Sequence, residues 1–334
     1  MSQGGLCLRS LVALWVLLAV IALSPSNSYS QTTLKKVRLG IAATNVGFLP
    51  IYAAYHKGFY REEGIDLEII LMSLTAANNA FFKGDIDYSA ALTGIAGAAV
   101  RGYPAKILIF AVARPLQSFV SRKEIREPRE LKGKKIAGSS PGGSATILAY
   151  QALRHFGLEP GRDVFVAPMG GSGVGRLAVL ESGVVDASLL SVPENIIALQ
   201  KGYNELIFLG DLVTFPQNGF GTSVNRIQQN PDEVFRMVRA TLRGLVFASD
   251  MNNQDQAVGV IMKQWKVSDE KLAREMLKYL WRGLARDGVI SPEGVQYFVD
   301  LARESSNVSQ PVSAAQVVDF SFLERARKEL RLSR

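Results

Sequence analysis

The chain has 334 residues with 38 Lys and Arg against 30 Asp and Glu, a net charge of +8, and only one cysteine and two histidines. The basic residues are scattered along helix surfaces (Arg236, Arg239, Arg243) or gathered beside Glu324 and Glu329 in Arg325–Arg334, with no basic run alternating with aromatics, so no nucleic-acid partner is expected. No histidine–carboxylate–cysteine cluster stands at ligand spacing, so neither a metal centre nor any other cofactor is expected.

Met1–Ser30 carries one charge, Arg9, ahead of an uncharged apolar run, Leu11–Leu23, and a small-residue stretch, Ser24–Ser30. The run is short for crossing a bilayer and fits the core of an export signal. Ser28-Tyr29-Ser30 has the small-x-small pattern of a cleavage site, which places the mature N-terminus at Gln31. Retention of the segment as an anchor is the alternative. Cys7 precedes the run and so is not the lipid-bearing cysteine of a lipoprotein. The mature part then carries +7 and no cysteine, and it relies on its core rather than on disulfides. No second apolar segment approaches spanning length, so the mature chain is expected to be soluble.

Downstream, apolar runs alternate with helical stretches as far as about Leu209. Val37–Ala42, Leu67–Leu71, Ile107–Val112, Val164–Ala167 and Val184–Leu190 read as buried parallel strands. Lys135–Gly138 matches the first of these. Mostly helix follows. Asn230-Pro231-Asp232-Glu233 has an N-cap side chain, a proline at the first position and a capping-box glutamate. Val234, Met237, Val238, Thr241, Leu242 and Leu245 then form one apolar stripe. Ser291-Pro292-Glu293 opens a second helix, with Val295, Phe298, Val299 and Ala302 on its buried face.

The order of elements repeats about every 99 residues. Gly84-Asp85-Ile86-Asp87-Tyr88-Ser89 returns as Gly183-Val184-Val185-Asp186-Ala187-Ser188, and Gly102-Tyr103 returns as Gly202-Tyr203. A small-residue loop and a helix-length stretch follow each copy, then an apolar strand, Lys106–Phe110 or Glu205–Leu209. Two similar α/β units imply two lobes facing each other across a ligand cleft. The C-terminal helices have no partner copy and are expected to pack back on the first lobe.

Nothing in the chain supplies familiar catalytic chemistry. His56 and His155 sit 99 residues apart, each late in a predicted helix, which a shared helix-end role explains. Gly138–Ser144 has P-loop glycine spacing, yet Ser144 stands where the phosphate-binding lysine belongs. Gly170–Gly175 follows a strand, but the third glycine of a dinucleotide fingerprint would fall on Arg176. What remains is six short polar loops, each between a strand's carboxyl end and a helix: Thr44–Phe48, Ser73–Thr75, Thr93–Gly94, Ser139–Ser144, Gly170–Gly173 and Ser191–Glu194. In open α/β sheets ligands bind at this edge, and helix starts hold anions with N–H groups and a partial positive end. Capping alone would select the same residue types.

Lys57-Gly58-Phe59-Tyr60-Arg61-Glu62-Glu63-Gly64-Ile65-Asp66, Leu131-Lys132-Gly133-Lys134-Lys135-Ile136-Ala137, Lys83-Gly84-Asp85-Ile86-Asp87 and Gly183-Val184-Val185-Asp186 resemble signatures of the solute-binding proteins of ABC importers, in the branch that holds nitrate, sulfonate, taurine and thiamine-pyrimidine binders. The similarity spans roughly Val37 to Leu330. It implies two doubly wound, Rossmann-like α/β lobes of the type II periplasmic-binding fold, with crossing hinge strands near Leu116–Ser121 and Leu212–Ser223. The expected lobes are residues 36–117 plus 219–334, and 118–218, behind an export signal at 1–30. The resemblance places ligand contacts at Asn45, Gly47, Phe48, Ser73, Thr93 and Gly94 in the first lobe. In the second it places them at Ser139, Ser140, Ser144, Ser191, Pro193 and Glu194. Met169 either lines the pocket or fills core; Arg114 either pairs an anionic ligand or lies on the surface near the hinge; Glu194 either meets an amine or pyrimidine or complements its helix dipole.

The function expected from this is capture of a small polar or anionic organic ligand in the periplasm and delivery to an ABC importer permease in the cytoplasmic membrane, by a monomer without enzyme activity. A pyrimidine-synthesis type of enzyme on the same fold is one alternative, although the cysteine-rich motif of the yeast enzymes is absent. A ligand-sensing subunit for a membrane receptor is the other.

Overall fold

The computed structural model describes residues 34–169 and 173–332. The signal-like segment Met1–Ser30 and most of the loop Gly170–Gly173 lie outside the described residues. Among the described residues, ten strands form two mixed five-stranded sheets. The first has the order β2-β1-β3-β10-β4, from Ile65–Leu71 (β2), Lys35–Ile41 (β1), Tyr88–Ser89 (β3), Gln217–Ser223 (β10) and Ala105–Val112 (β4). The second has the order β7-β6-β8-β5-β9, from Phe165–Pro168 (β7), Lys135–Gly138 (β6), Ala187–Leu190 (β8), Ser118–Ser121 (β5) and Asn204–Phe208 (β9). Under the 99-residue offset β1 maps to β6, β2 to β7, β3 to β8 and β4 to β9, so the repeated sequence builds the same strand order twice. Helices alternate with the strands, as α/β crossovers require.

The repeated glycine–aspartate motif has a local physical reason. Gly84 and Gly183 both adopt left-handed backbone (φ +81° and +75°), which ends the preceding helix at little steric cost. Three residues on, the Asp87 carboxylate accepts from Arg38 N–H at 2.7 Å, and Asp186 accepts from Lys135 N–H at 2.9 Å. Each aspartate also donates its own N–H back, to Arg38 O at 3.0 Å and Lys135 O at 2.7 Å. One residue type thereby ties the turn to the equivalent strand, β1 or β6, in both sheets.

The apolar runs read as strands run parallel within their sheets, and one further strand in each sheet runs against them. β10 runs antiparallel between β3 and β4, and β5 runs antiparallel between β8 and β9. In each case the inserted strand is the one reached where the chain crosses from one sheet to the other. β10 can lie this close to β4 only because of Gly219, whose φ is +130° and whose Cβ would stand 2.0 Å from Ile109 O. The predicted strand Val184–Leu190 is shorter than expected, because Val184–Asp186 form the turn that anchors Asp186 to β6.

The core of the described residues falls into three clusters, two of which draw residues from both sheets. The stripe Val234, Met237, Val238, Thr241, Leu242 and Leu245 on helix Pro231–Ser249 is buried throughout, and Gly244 lets that helix sit directly on Pro50 O of helix Leu49–His56. Phe298 of helix Pro292–Ser305 packs edge-on to Phe110 of β4 at 5.4 Å. Such burial contributes roughly 1.5–3 kcal/mol per large side chain. Ser291 caps its helix as expected, its Oγ accepting from Gly294 N–H at 3.1 Å. Asn230 does not cap: its Oδ1 accepts from Lys35 Nζ at 2.9 Å instead. Nor does Glu233 close a capping box, since its carboxylate accepts from Arg226 Nε at 2.8 Å and Tyr88 OH at 3.0 Å. A long-range charged partner outcompetes the local cap.

Among the described residues, no helix is long and apolar enough to cross a membrane, and no group of three or more His, Cys, Asp or Glu could hold a metal ion.

Candidate functional site

A cavity of about 360 Å³ opens at the carboxyl ends of strands from both sheets. Its walls follow β1 (Ala42–Asn45 and Phe48), β2 (Leu71–Leu74), β3 (Ala90–Thr93), β6 (Ser139, Ser140 and Gly143–Ala145) and β8 (Ser191, Glu194). Gly173 and Arg176 of helix Gly173–Glu181 complete the second-sheet side. The floor comes from the two chain crossings, through Gln117 and Phe215–Asn218. Each of the six polar loops singled out in the sequence therefore contributes at least one lining residue, and each does so where a helix begins. This is the carboxyl-edge geometry at which open α/β sheets hold ligands.

Of the residues named from sequence, Asn45, Phe48, Ser73, Thr93, Ser139, Ser140, Ser144, Ser191 and Glu194 line the cavity. Gly47, Gly94 and Pro193 do not. Gly47 is where Asn218 and Asn45 press on the backbone, a Cβ there lying 2.2 Å from Asn218 Oδ1. Gly94 meets Asn78 in the same way, at 2.0 Å. Pro193 precedes the helix Glu194–Gln200 behind the wall. Arg114 is exposed and outside the cavity, and Met169 packs on the small core around Val120 and Leu180. The histidines are also remote: His56 Nε2 lies 3.1 Å from Gln264 Oε1, and His155 packs on Phe156.

The hydroxyls divide into two sets. Ser73 Oγ accepts from Ala76 N–H at 3.2 Å and caps its helix. Ser139 is engaged inside its own loop, accepting from Thr146 N–H at 3.3 Å while Thr146 Oγ1 donates to Ser139 O at 3.1 Å. Thr93, Ser140, Ser144 and Ser191, by contrast, make no side-chain hydrogen bond to the described protein, so their donors and acceptors face the cavity unspent. Asn45 Oδ1 accepts from Gly47 N–H at 3.0 Å and from Asn218 Nδ2 at 3.2 Å, which joins the first loop to β10.

Charge enters through one pair. Arg176 and Glu194 are 5 and 6 % exposed. Arg176 Nε donates to Leu189 O at 2.8 Å, and the Glu194 carboxylate lies against the bare Cα of Gly173. Burial pushes the Glu194 carboxyl above the usual carboxylate range, opposed by its own backbone N–H and by the Arg176 charge. Burial likewise lowers Arg176, with Glu194 pulling it back.

Sequence reasoning missed Arg176, Gln117, Gln217, Asn218, Phe215 and Phe298. Arg176 was visible only as the wrong residue for a glycine fingerprint. Gln117, Gln217 and Asn218 were visible as amide side chains inside the segments expected to cross between lobes.

The NMT1/THI5-like family profile matches residues 45–257, more than half of the chain. The chain belongs to the NMT1/THI5-like family. Among curated relatives of this family member, the riboflavin-binding protein RibY of Chloroflexus aurantiacus is 27 % identical over 269 residues, covering 75 % of this chain and 73 % of that protein. Two solved structures superpose over most of their length. The periplasmic nitrate-binding protein NrtA of Synechocystis PCC 6803 has a TM-score of 0.73 at 16 % identity, covering 90 % of each chain. The periplasmic sulfonate-binding protein SsuA of Methylobacillus flagellatus KT has a TM-score of 0.68 at 19 % identity, covering 90 % of this chain and 96 % of that one. The fold is that of the periplasmic binding proteins.

Proposed function

We propose that the chain is an extracytoplasmic solute-binding protein that captures a small polar or anionic organic ligand in the cavity and delivers it to an ABC importer permease. The observation that carries this is the convergence of six helix starts, from two sheets of the same strand order, on one cavity whose Thr93, Ser140, Ser144 and Ser191 hydroxyls have no partner within the described protein. The names of RibY, NrtA and SsuA support binding over catalysis, and so does the distance of both histidines from the cavity.

In this reading residues 36–117 plus 219–334 form one lobe and 118–218 the other, joined where the chain crosses near Leu116–Ser121 and Leu212–Ser223. Ligand draws them together. Leu71 lines the cavity yet remains 60 % exposed, an apolar surface that closure would cover. Export through the Met1–Ser30 segment, with cleavage before Gln31, brings the chain to the periplasm as a monomer. Asn45, Phe48, Thr93, Ser140, Ser144, Ser191 and Glu194 are the contacts; Ser73 and Ser139 hold the loops that carry them.

Native mass spectrometry of protein purified from the periplasm identifies a co-purified ligand, expected at one per chain. Small-angle scattering before and after saturation with that ligand is expected to show contraction. Coincident profiles, with both forms closed, overturn the hinge; an intact Met1 on a membrane-bound product overturns the cleaved signal.

A further inference from the structure

Two side chains on the crossings say more about the ligand than the hydroxyl-rich loops do. Gln117 directly precedes β5 and Gln217 opens β10; both line the cavity and are only 6 and 9 % exposed. Gln117 Oε1 and Gln217 Nε2 find no hydrogen-bond partner among the described residues. Buried polar atoms are rarely left this way, because an unpaired one loses its water without replacement. An amide carries a donor and an acceptor at one end, and between them the two glutamines leave one acceptor, Gln117 Oε1, and one donor, Gln217 Nε2, unmatched at the cavity wall. A sulfonate or nitrate presents acceptors alone. It can accept from an amide nitrogen but leaves the amide oxygen unpaired.

The charges point the same way. Among the described lining residues Arg176 is the one cation and Glu194 the one carboxylate, so the guanidinium faces an opposite charge already supplied by the wall. A carboxylate in the wall repels an incoming anion and accepts readily from N–H donors. Size agrees: a cavity of about 360 Å³ has room for roughly twelve water-sized groups, several times a nitrate ion. Phe48, Phe215, Leu71 and Leu92 add apolar wall for the body of a larger ligand.

We propose that Gln117 and Gln217 set the specificity of the cleft, selecting an uncharged ligand whose edge carries neighbouring N–H and C=O groups, as a lactam or imide does, over a sulfonate or nitrate. This rests on the solute-binding reading above and narrows its ligand class.

The test titrates the mature chain, washed free of small molecules in mild denaturant, by calorimetry. Uracil, lumichrome and riboflavin serve as imide-edged probes; taurine, which carries a sulfonate beside its ammonium, and nitrate supply the anionic head groups. At least one imide probe is expected to bind, about tenfold or more weaker when its imide nitrogen is methylated. Gln117→Leu and Gln217→Leu are each expected to weaken that probe about tenfold or more while melting no lower than wild type. Binding of no imide probe, or tighter binding of taurine or nitrate, overturns the ligand class. Unchanged affinity in both leucine variants overturns the role of the glutamines. Ser140→Trp separates these failures from failure of the cleft reading: a ligand that still binds with the cavity filled overturns the cleft, whereas an anion displaced by the filling overturns only the ligand class.

Discussion

The two sheets treat buried charge in opposite ways. Against the first, Glu233 is 2 % exposed and receives Arg226 Nε at 2.8 Å and Tyr88 OH at 3.0 Å, with Lys35 also paired to it. Arg226 bridges on to Asp87 at 2.6 Å. None of these five residues lines the cavity. In the second sheet's half, Arg176 and Glu194 are similarly enclosed but stand in the cavity wall. Burial raises both carboxyls, but Lys35, Arg226 and Tyr88 outweigh it and hold Glu233 below the usual range, while Glu194 stays above. Enclosure alone therefore does not mark a binding group. A carboxyl left raised in a cavity wall is the better candidate.

The largest expected effect breaks the structural cluster. Arg226→Leu leaves Glu233 and Asp87 short of their shared cation, at a cost of about 3 kcal/mol or more and a fall of several degrees in melting temperature. Ligand affinity at a temperature where the variant is folded is expected to match wild type. A variant that melts normally, or that loses affinity while folded, would dissolve the distinction between the two clusters.

A pH series sharpens the same contrast, because the two carboxyls move in opposite directions. Glu233 is depressed in the folded state, so its contribution is present above the ordinary carboxylate value near 4.3 and is lost as pH falls through the folded value. Glu194 is raised, so its contribution is greatest below about 4.3 and is lost as pH rises through the folded value. The stability deficit of Glu233→Gln relative to wild type should therefore shrink on acidification. Glu194→Gln should instead gain on wild type as pH rises. Urea melts of both variants between about pH 3.5 and 7 check this, and parallel slopes would refute it.

How much of this could be read from sequence depended on distance along the chain. The six loops were legible because each follows an apolar run and opens a helix with Ser, Thr, Asn or Gly, all local signals, and the repeat showed several of them twice. That two halves share one arrangement of elements was legible through the same duplication. The antiparallel insertions were not, since β10 pairs with strands more than 100 residues earlier and nothing near Gln217 announces its partners. Asn230 misled for the same reason: a cap is predicted locally, whereas Lys35, 195 residues away, takes its side chain. Arg176 was hidden inside a failed glycine motif, although a lone arginine in the first turn of a helix at a ligand-binding edge is itself a signal. Gln117 and Gln217 become informative only when both crossings are seen to end on one cavity.

The smallest effects divide the hydroxyls. Ser73→Ala removes a cap to Ala76 N–H and is expected to cost about 1 kcal/mol of stability, leaving affinity for the ligand found by mass spectrometry unchanged. Thr93→Ala and Ser144→Ala, one from each sheet's side, remove hydroxyls with no partner in the described protein. Each is expected to weaken binding roughly tenfold, about 1.4 kcal/mol, with the melting temperature preserved. The pairing matters because Ser73 is the N-cap of its helix and turns its oxygen back onto it, whereas Ser144 is the first residue behind the N-cap Gly143 and makes no such bond. Calorimetry and thermal melts on all three variants distinguish the cases. If Thr93→Ala and Ser144→Ala lose stability instead of affinity, they are caps like Ser73, and recognition rests on the crossings and the charged pair rather than on the helix starts.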